Sequence, residues 1–111
     1  MLEALWSIEF GSNSGFFGAG VVIFETGRLF GGDAQYYYTG TYDISNGQIN
    51  AQVAVTRYLE VGVSIFGTTE TEFRLNITGQ IQEPVMNAEG YRIDAPNNRI
   101  ALRFTKRAEL P

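Results

Sequence analysis

The sequence has no cysteine and no histidine among its 111 residues. Without thiols there is no disulfide, no thiolate nucleophile and no thiolate metal ligand. Without imidazoles there is no Ser-His or Cys-His pair, no histidine metal ligand and no histidine pH switch. Those two absences exclude most enzyme chemistry and leave carboxylate, lysine, tyrosine and backbone chemistry. No cofactor and no metal site is expected. Charge is also sparse. Eight basic and twelve acidic residues leave a net charge of −4. A nucleic-acid binder carries a basic face, so direct nucleic-acid binding is not expected. The one local basic cluster, Arg99, Arg103, Lys106 and Arg107, reads as the solvent face of a last strand. Long apolar runs are missing too. No stretch approaches the ~20 apolar residues of a membrane-spanning helix. Residues 1–10 lack a basic start, and Glu3 and Glu9 interrupt them, so no signal peptide is expected. A cytoplasmic address follows, in agreement with the missing cysteines. The sequon Asn76-Ile77-Thr78 then carries no glycan.

What is present is strand chemistry. Glycine supplies 13 residues and aromatics 14% of the chain. Ala4, Trp6, Ile8 and Phe10 alternate with Leu5, Ser7 and Glu9 in a first strand, followed by a turn over residues 11–15. A second strand runs from Gly18 to Glu25. Its centre, Val21-Val22-Ile23-Phe24, is apolar on both faces and therefore covered on both sides, by the fold or by a partner. Thr26-Gly27 starts a hairpin into a short strand from Arg28 to Gly31. A fourth strand spans Tyr36 to Asp43. The Asn46-Gly47 dipeptide is the strongest hairpin signal in the chain. From Gln48 to Arg57, Ile49, Ala51, Val53 and Val55 point one way and the polar residues the other. Residues 58–70 suit a short helical turn, another strand or an irregular connection, and the last is favoured. Phe73, Leu75, Ile77, Gly79 and Ile81 mark a sixth strand. Residues 83–98 contain Pro84, Gly90 and Pro96 and read mostly as loop, with a short strand at Tyr91-Arg92-Ile93 allowed. Arg99 to Arg107 is the last strand, with Ile100, Leu102 and Phe104 inward.

Seven or eight short strands in one domain, residues 1–111, indicate an all-β fold, either a barrel or a sandwich. Short hairpins and glycines within strands favour a small antiparallel up-and-down barrel. Its interior candidates are Trp6, Ile8, Phe10, Phe24, Tyr42, Val53, Val55, Leu102 and Phe104. Trp6 is expected to close one barrel end against the final strand, with Arg103 or Arg107 over its ring.

The chemical motifs mostly have structural readings. The glycines of residues 15–20 precede a strand rather than a helix, which argues against a nucleotide loop. In Gly31-Gly32-Asp33 the glycine pair reads as a positive-φ turn stabilised by the aspartate side chain, ahead of a lone catalytic acid. Glu70 and Glu72 share an outward face and read as solvated surface rather than a glycosidase pair. In the Tyr36-Tyr37-Tyr38 run, Tyr37 lies opposite the other two. It serves either cross-strand packing or an interface. Val21, Ile23 and Tyr37 are the interface candidates.

One pattern is shared with a known family. It runs Trp6-Ser7-Ile8, Phe10, Ser12-Asn13, Gly18, Gly20-Val21, Gly27, Gly31-Gly32-Asp33, Tyr36, Tyr38, Gly40 and Tyr42. Over residues 6–57 it resembles the GrlR-type negative regulators of bacterial type III secretion. The resemblance implies an eight-stranded lipocalin-like barrel, a homodimer and no enzymatic activity. It also implies a cytoplasmic repressor that holds a basic helix-turn-helix activator away from DNA. In that family an acidic loop after the fourth strand contacts the activator. The matching partner-loop positions are Asp43, Ile44, Ser45, Asn46 and Gly47, where only Asp43 is acidic. An alternative function is carriage of a small apolar ligand or lipid inside the barrel. The large inward side chains argue for a filled core, whereas Gly20, Gly40, Ala51 and Gly79 argue for room.

Overall fold

A computed structural model describes residues 2–12, 17–59 and 71–111. It is a closed antiparallel barrel of eight strands, each paired with its neighbours in sequence, with β1 paired to β8. The strands are β1 Ala4–Ser12, β2 Phe17–Glu25, β3 Arg28–Gly32, β4 Tyr36–Ser45, β5 Gln48–Arg57, β6 Glu72–Gln80, β7 Val85–Arg92 and β8 Arg99–Glu109. The up-and-down order follows from the tight connections. Thr26 and Gly27 have φ of 53° and 78°, and Asn46 and Gly47 have 53° and 73°. Positive φ at both central residues is the primed turn that matches strand twist. Asn and Gly accept it readily, but threonine is β-branched and strained there. The Thr26 N–H donates to the Glu3 carboxylate at 3.1 Å, tying this turn to the start of the chain. Thr26→Asn is therefore expected to stabilise the protein by about 1 kcal/mol, read as a raised urea midpoint with unchanged slope.

Alternation places one face of every strand in a single core. β5 and β6 show it most regularly, with Ile49, Ala51, Val53 and Val55 packed beside Phe73, Leu75 and Ile77. Toward the end that carries the Thr26–Gly27 and Asn46–Gly47 turns, the core is aromatic. Trp6, Tyr42 and Phe104 surround Phe24 with ring centroids 5.4–6.3 Å away. The Trp6 indole N–H donates to the Leu2 carbonyl at 2.9 Å, so the residues before β1 fold across this end.

Three expectations are corrected. Residues 83–98 are not mostly loop, because β7 occupies Val85–Arg92 and pairs with both β6 and β8. Its inward residues are Met86, Ala88, Gly90 and Arg92, none of which signals a strand. Small residues are needed because the neighbouring strands come close. A Cβ on Gly90 would stand 2.7 Å from the Asn76 carbonyl oxygen. Nor does an arginine cover Trp6. Arg103 pairs with Glu9 at 3.3 Å and the Arg107 guanidinium donates to the Ser7 hydroxyl at 2.7 Å. Both lie outside the barrel wall, while Trp6 is fully buried within it. The expected connection over 58–70 lies outside the described residues from residue 60 onward, as do Glu70 and residues 13–15 of the expected first turn, whose residues 11 and 12 instead continue β1 in register with β2 and β8.

Candidate functional site

The barrel interior is nearly full. Ile8, Phe24, Tyr42, Val53, Val55, Leu102 and Phe104 are buried in it, and Phe10 packs partly buried against them. The space left is about 70 Å³. Ligand pockets for drug-sized molecules run from about 300 Å³ upward. The inward glycines do not provide the missing room. A Cβ on Gly20 would meet the Gly32 carbonyl oxygen at 2.7 Å, and one on Gly79 would meet the Ala88 Cβ at 2.8 Å. Neighbouring backbone, not empty space, fills what those side chains give up.

The barrel end opposite the primed turns is organised by Asp33. One carboxylate oxygen accepts the Gln35 and Tyr36 N–H groups, both at 2.8 Å. The other accepts the Tyr38 hydroxyl. The Tyr58 hydroxyl donates to the Asp33 carbonyl at 2.5 Å, which fastens the turn to the end of β5. The aspartate part of the expected turn fits this geometry, but the glycine part is corrected: Gly31 and Gly32 are the last residues of β3 and neither has a positive φ, so the turn begins only at Asp33. Burial, followed by the hydrogen bond to Asp33, pushes the Tyr38 hydroxyl far above the ordinary tyrosine pKa. A raised folded-state pKa gives stability that is complete below the unfolded value near 10 and is lost as pH rises above it. A spectrophotometric titration is expected to leave at least one tyrosine un-ionised until the alkaline unfolding transition.

Arg92 is a feature that sequence reasoning missed. It is 4% exposed at an inward position of β7. Its guanidinium binds the Asp94 carboxylate through two bonds of 2.7 and 3.0 Å and lies 5.3 Å from the Phe73 ring centroid. The paired carboxylate and the aromatic face together meet the cost of burying this charge.

The outer face holds the other candidates. Val21 is 50% exposed, Tyr37 45%, and Ile23 is half-buried. In the central run of β2 the fold covers only Val22 and Phe24. Register then brings the interface candidates together. Val21 lies opposite Gly32, and Gly32 opposite Tyr37, so a side-chain-free position separates two exposed apolar groups. Ile23 lies opposite Phe30, itself 39% exposed. Phe30 was not among the interface candidates. The inward Leu29 beside it was the available signal, because alternation turns the next residue outward. Between this strip and the Glu25–Arg28 pair at the turn end, no charged side chain interrupts the outward positions of β2 and β3.

The partner-loop positions form a tight exposed turn. Asp43, Ser45, Asn46 and Gly47 project from the barrel end together with Ile44, which is 53% exposed. The C-terminal basic residues are largely spoken for. Lys106 binds Glu83 at 2.9 Å and Glu109 at 2.7 Å, and Arg103 and Arg107 bind β1 as described. Glu72 faces outward beside Arg74 at 3.8 Å and accepts the Thr56 hydroxyl at 3.3 Å, as expected for a surface carboxylate. Among the described residues, no helix is long and apolar enough to cross a membrane. Compared with protein families and with curated proteins, the chain matches none of them.

Proposed function

We propose that this protein is a non-enzymatic, cytoplasmic regulator that acts by protein contact and is itself a homodimer. The model for its action is the GrlR-type negative regulators that its first half resembles. The observation that carries this reading is the contrast between inside and outside. The interior is filled by the protein's own side chains down to about 70 Å³. The exposed wall of β2, β3 and β4 instead presents Val21, Phe30 and Tyr37 to solvent. Exposed aromatic and aliphatic groups clustered on one face mark contact surfaces.

A basic helix-turn-helix activator is the partner that suits the charge. The chain carries −4 overall. Asp43 contributes to it beside the Asn46–Gly47 turn, whereas Glu25 and Glu109 at the same barrel end are paired with Arg28 and Lys106. Such a field speeds encounter with a basic protein and weakens with added salt. The test is co-expression with a tagged activator of this type, followed by affinity purification at low and high salt. Co-elution that fades with salt is the expected result. Recovery of the chain alone, with a lipid or apolar molecule bound in native mass spectrometry, would instead establish the carrier function.

A further inference from the structure

We infer that Asn46 is a site of spontaneous covalent modification, at which the exposed Asn46–Gly47 turn converts its own side-chain amide into a carboxylate. The inference does not depend on the protein-contact reading above.

The chemistry needs only the chain and water. The Gly47 backbone nitrogen attacks the side-chain carbonyl carbon of Asn46. A bond forms between that nitrogen and Cγ, and the bond from Cγ to Nδ2 breaks. Ammonia leaves, carrying the proton that the Gly47 nitrogen gives up. The product is a five-membered imide. Water then opens it on one of two sides. Addition at Cγ leaves an ordinary aspartate at residue 46. Addition at the main-chain carbonyl carbon leaves an isoaspartate, whose main chain runs through the former side chain and is one carbon longer. Either way an uncharged amide becomes a carboxylate.

Sequence and surroundings both single out this position. Asn46 is the one asparagine followed by glycine. Any other residue there would put a side chain beside the attacking nitrogen. A Cβ built on Gly47 meets nothing within 4 Å, and both turn residues are exposed, so water reaches them. Asn50, Asn76 and Asn87 instead lie within β5, β6 and β7 and are followed by Ala51, Ile77 and Ala88.

The backbone decides whether the ring can close. The imide contains the Cα–C bond of residue 46, so it fixes ψ there. It holds ψ near about −120°, the value at the first central residue of a type II′ turn. Strand residues, with ψ near about +135°, are far from it. Asn46 already has the φ of that turn. Its value is 53°, and positive φ at the first central residue is common to types I′ and II′. Passing from I′ to II′ requires only that the peptide plane between the two residues flip. The flip carries Gly47 from a φ of 73° to a negative φ, and glycine adopts either sign about equally. The rest of the hairpin stays in place. Both turn types close a two-residue loop with the right twist, so the Ser45–Gln48 pair keeps its register. The Gly47 carbonyl, which accepts the Ile81 N–H at 2.9 Å, belongs to the next peptide plane. The two products then differ in fit. Asp-Gly is itself a primed-turn pair, so aspartate restores the turn, whereas isoaspartate lengthens the loop. Each adds one negative charge to the −4 of the chain, at the barrel end where Asp43 is exposed.

The test follows the full, folded chain at neutral pH over weeks by ion-exchange chromatography and peptide mapping. An acidic form is expected to accumulate, with its new carboxylate at residue 46. Its rate is expected to exceed that at Asn50, Asn76 and Asn87 by at least tenfold, the ratio that ~1.4 kcal/mol of barrier sets. Unfolding the chain in urea is expected to change the rate at residue 46 by less than about tenfold, because the turn is one flip from the reactive conformation. Hydroxylamine, which cleaves the imide, is expected to split the folded chain into residues 1–46 and 47–111. Asn46→Gly keeps a primed-turn pair and is expected to fold normally, yet to yield neither the acidic form nor the fragments. New carboxylate at the strand asparagines ahead of residue 46 overturns the inference. So does a rate at residue 46 that rises in urea by more than about tenfold, since the folded turn then holds its peptide plane against the flip. A folded chain that hydroxylamine leaves intact overturns it as well.

Discussion

Phe24→Ala is expected to cost about 3–5 kcal/mol, a large part of the 5–15 kcal/mol that holds a domain of this size folded. The ring is 2% exposed and central to the aromatic end of the core. Trp6 and Tyr42 meet it nearly edge-on, with interplanar angles of 89° and 85°, and Phe104 packs tilted at 54°. Removing it deletes three ring contacts and leaves a hole bounded by large planar groups. Those groups cannot collapse inward because the closed ladder of eight strands fixes their backbones. Poor collapse puts the cost at the upper part of the range. Urea denaturation followed by tryptophan fluorescence reads it directly, since Trp6 is the one tryptophan in the chain and touches the deleted ring. The midpoint should fall with the slope unchanged. Phe30→Ala is the control of the same chemistry on the outer face, expected to stay within about 1 kcal/mol. Equal effects at the two positions would contradict the assignment of inner and outer faces.

That assignment was legible for most of the chain. Wherever inward positions carry Val, Ile, Leu or an aromatic residue, alternation by itself identifies the strand, as in β5 and β8. Asn46-Gly47 and Thr26-Gly27 mark the turns because the required backbone is rare outside a few residue types. β7 was hidden because its inward face is Met86, Ala88, Gly90 and Arg92, none a strand-favouring residue, with Gly90 required by the close approach of the Asn76 carbonyl. The buried Arg92 was hidden for a related reason. Phe73 comes from another strand with no sequence spacing to link it, and Asp94, although only two residues on, lies in the turn after β7, where an Arg-x-Asp reads as solvated charge. On the outer face, Val21, Ile23 and Tyr37 stood out individually as apolar residues facing away from the core. Their arrangement around Gly32 and Phe30 did not, because cross-strand register is set by the pairing of three strands. The inward glycines were read both as points of close backbone approach and as empty room, and they prove to be the former, a distinction that composition does not carry.

Gly40 makes that distinction measurable. An added Cβ would fall 2.2 Å from the Gln52 carbonyl oxygen and 3.0 Å from the Val53 Cα. Both are backbone atoms of β5, the strand with which β4 pairs from Tyr36 to Ser45. A flexible side chain could rotate away from one methyl group, but a carbonyl held in the barrel wall cannot. Relief requires the two strands to separate, which stretches ladder bonds on either side of the contact. Gly40→Ala is therefore expected to destabilise the protein by about 3 kcal/mol, the upper end for overpacking, although only one methyl group is added. Gly47→Ala provides the contrast. It has open space around its Cβ but a φ of +73°, so its cost is the left-handed backbone alone, about 1–2 kcal/mol. The two variants also differ in where the loss is felt. Amide exchange in Gly40→Ala should accelerate along the β4–β5 ladder near Gly40 and Val53, and in Gly47→Ala only at the turn. If Gly40→Ala proves neutral, β4 does not bend onto β5 there, and the tight inner wall that leaves so little space inside the barrel loses its explanation.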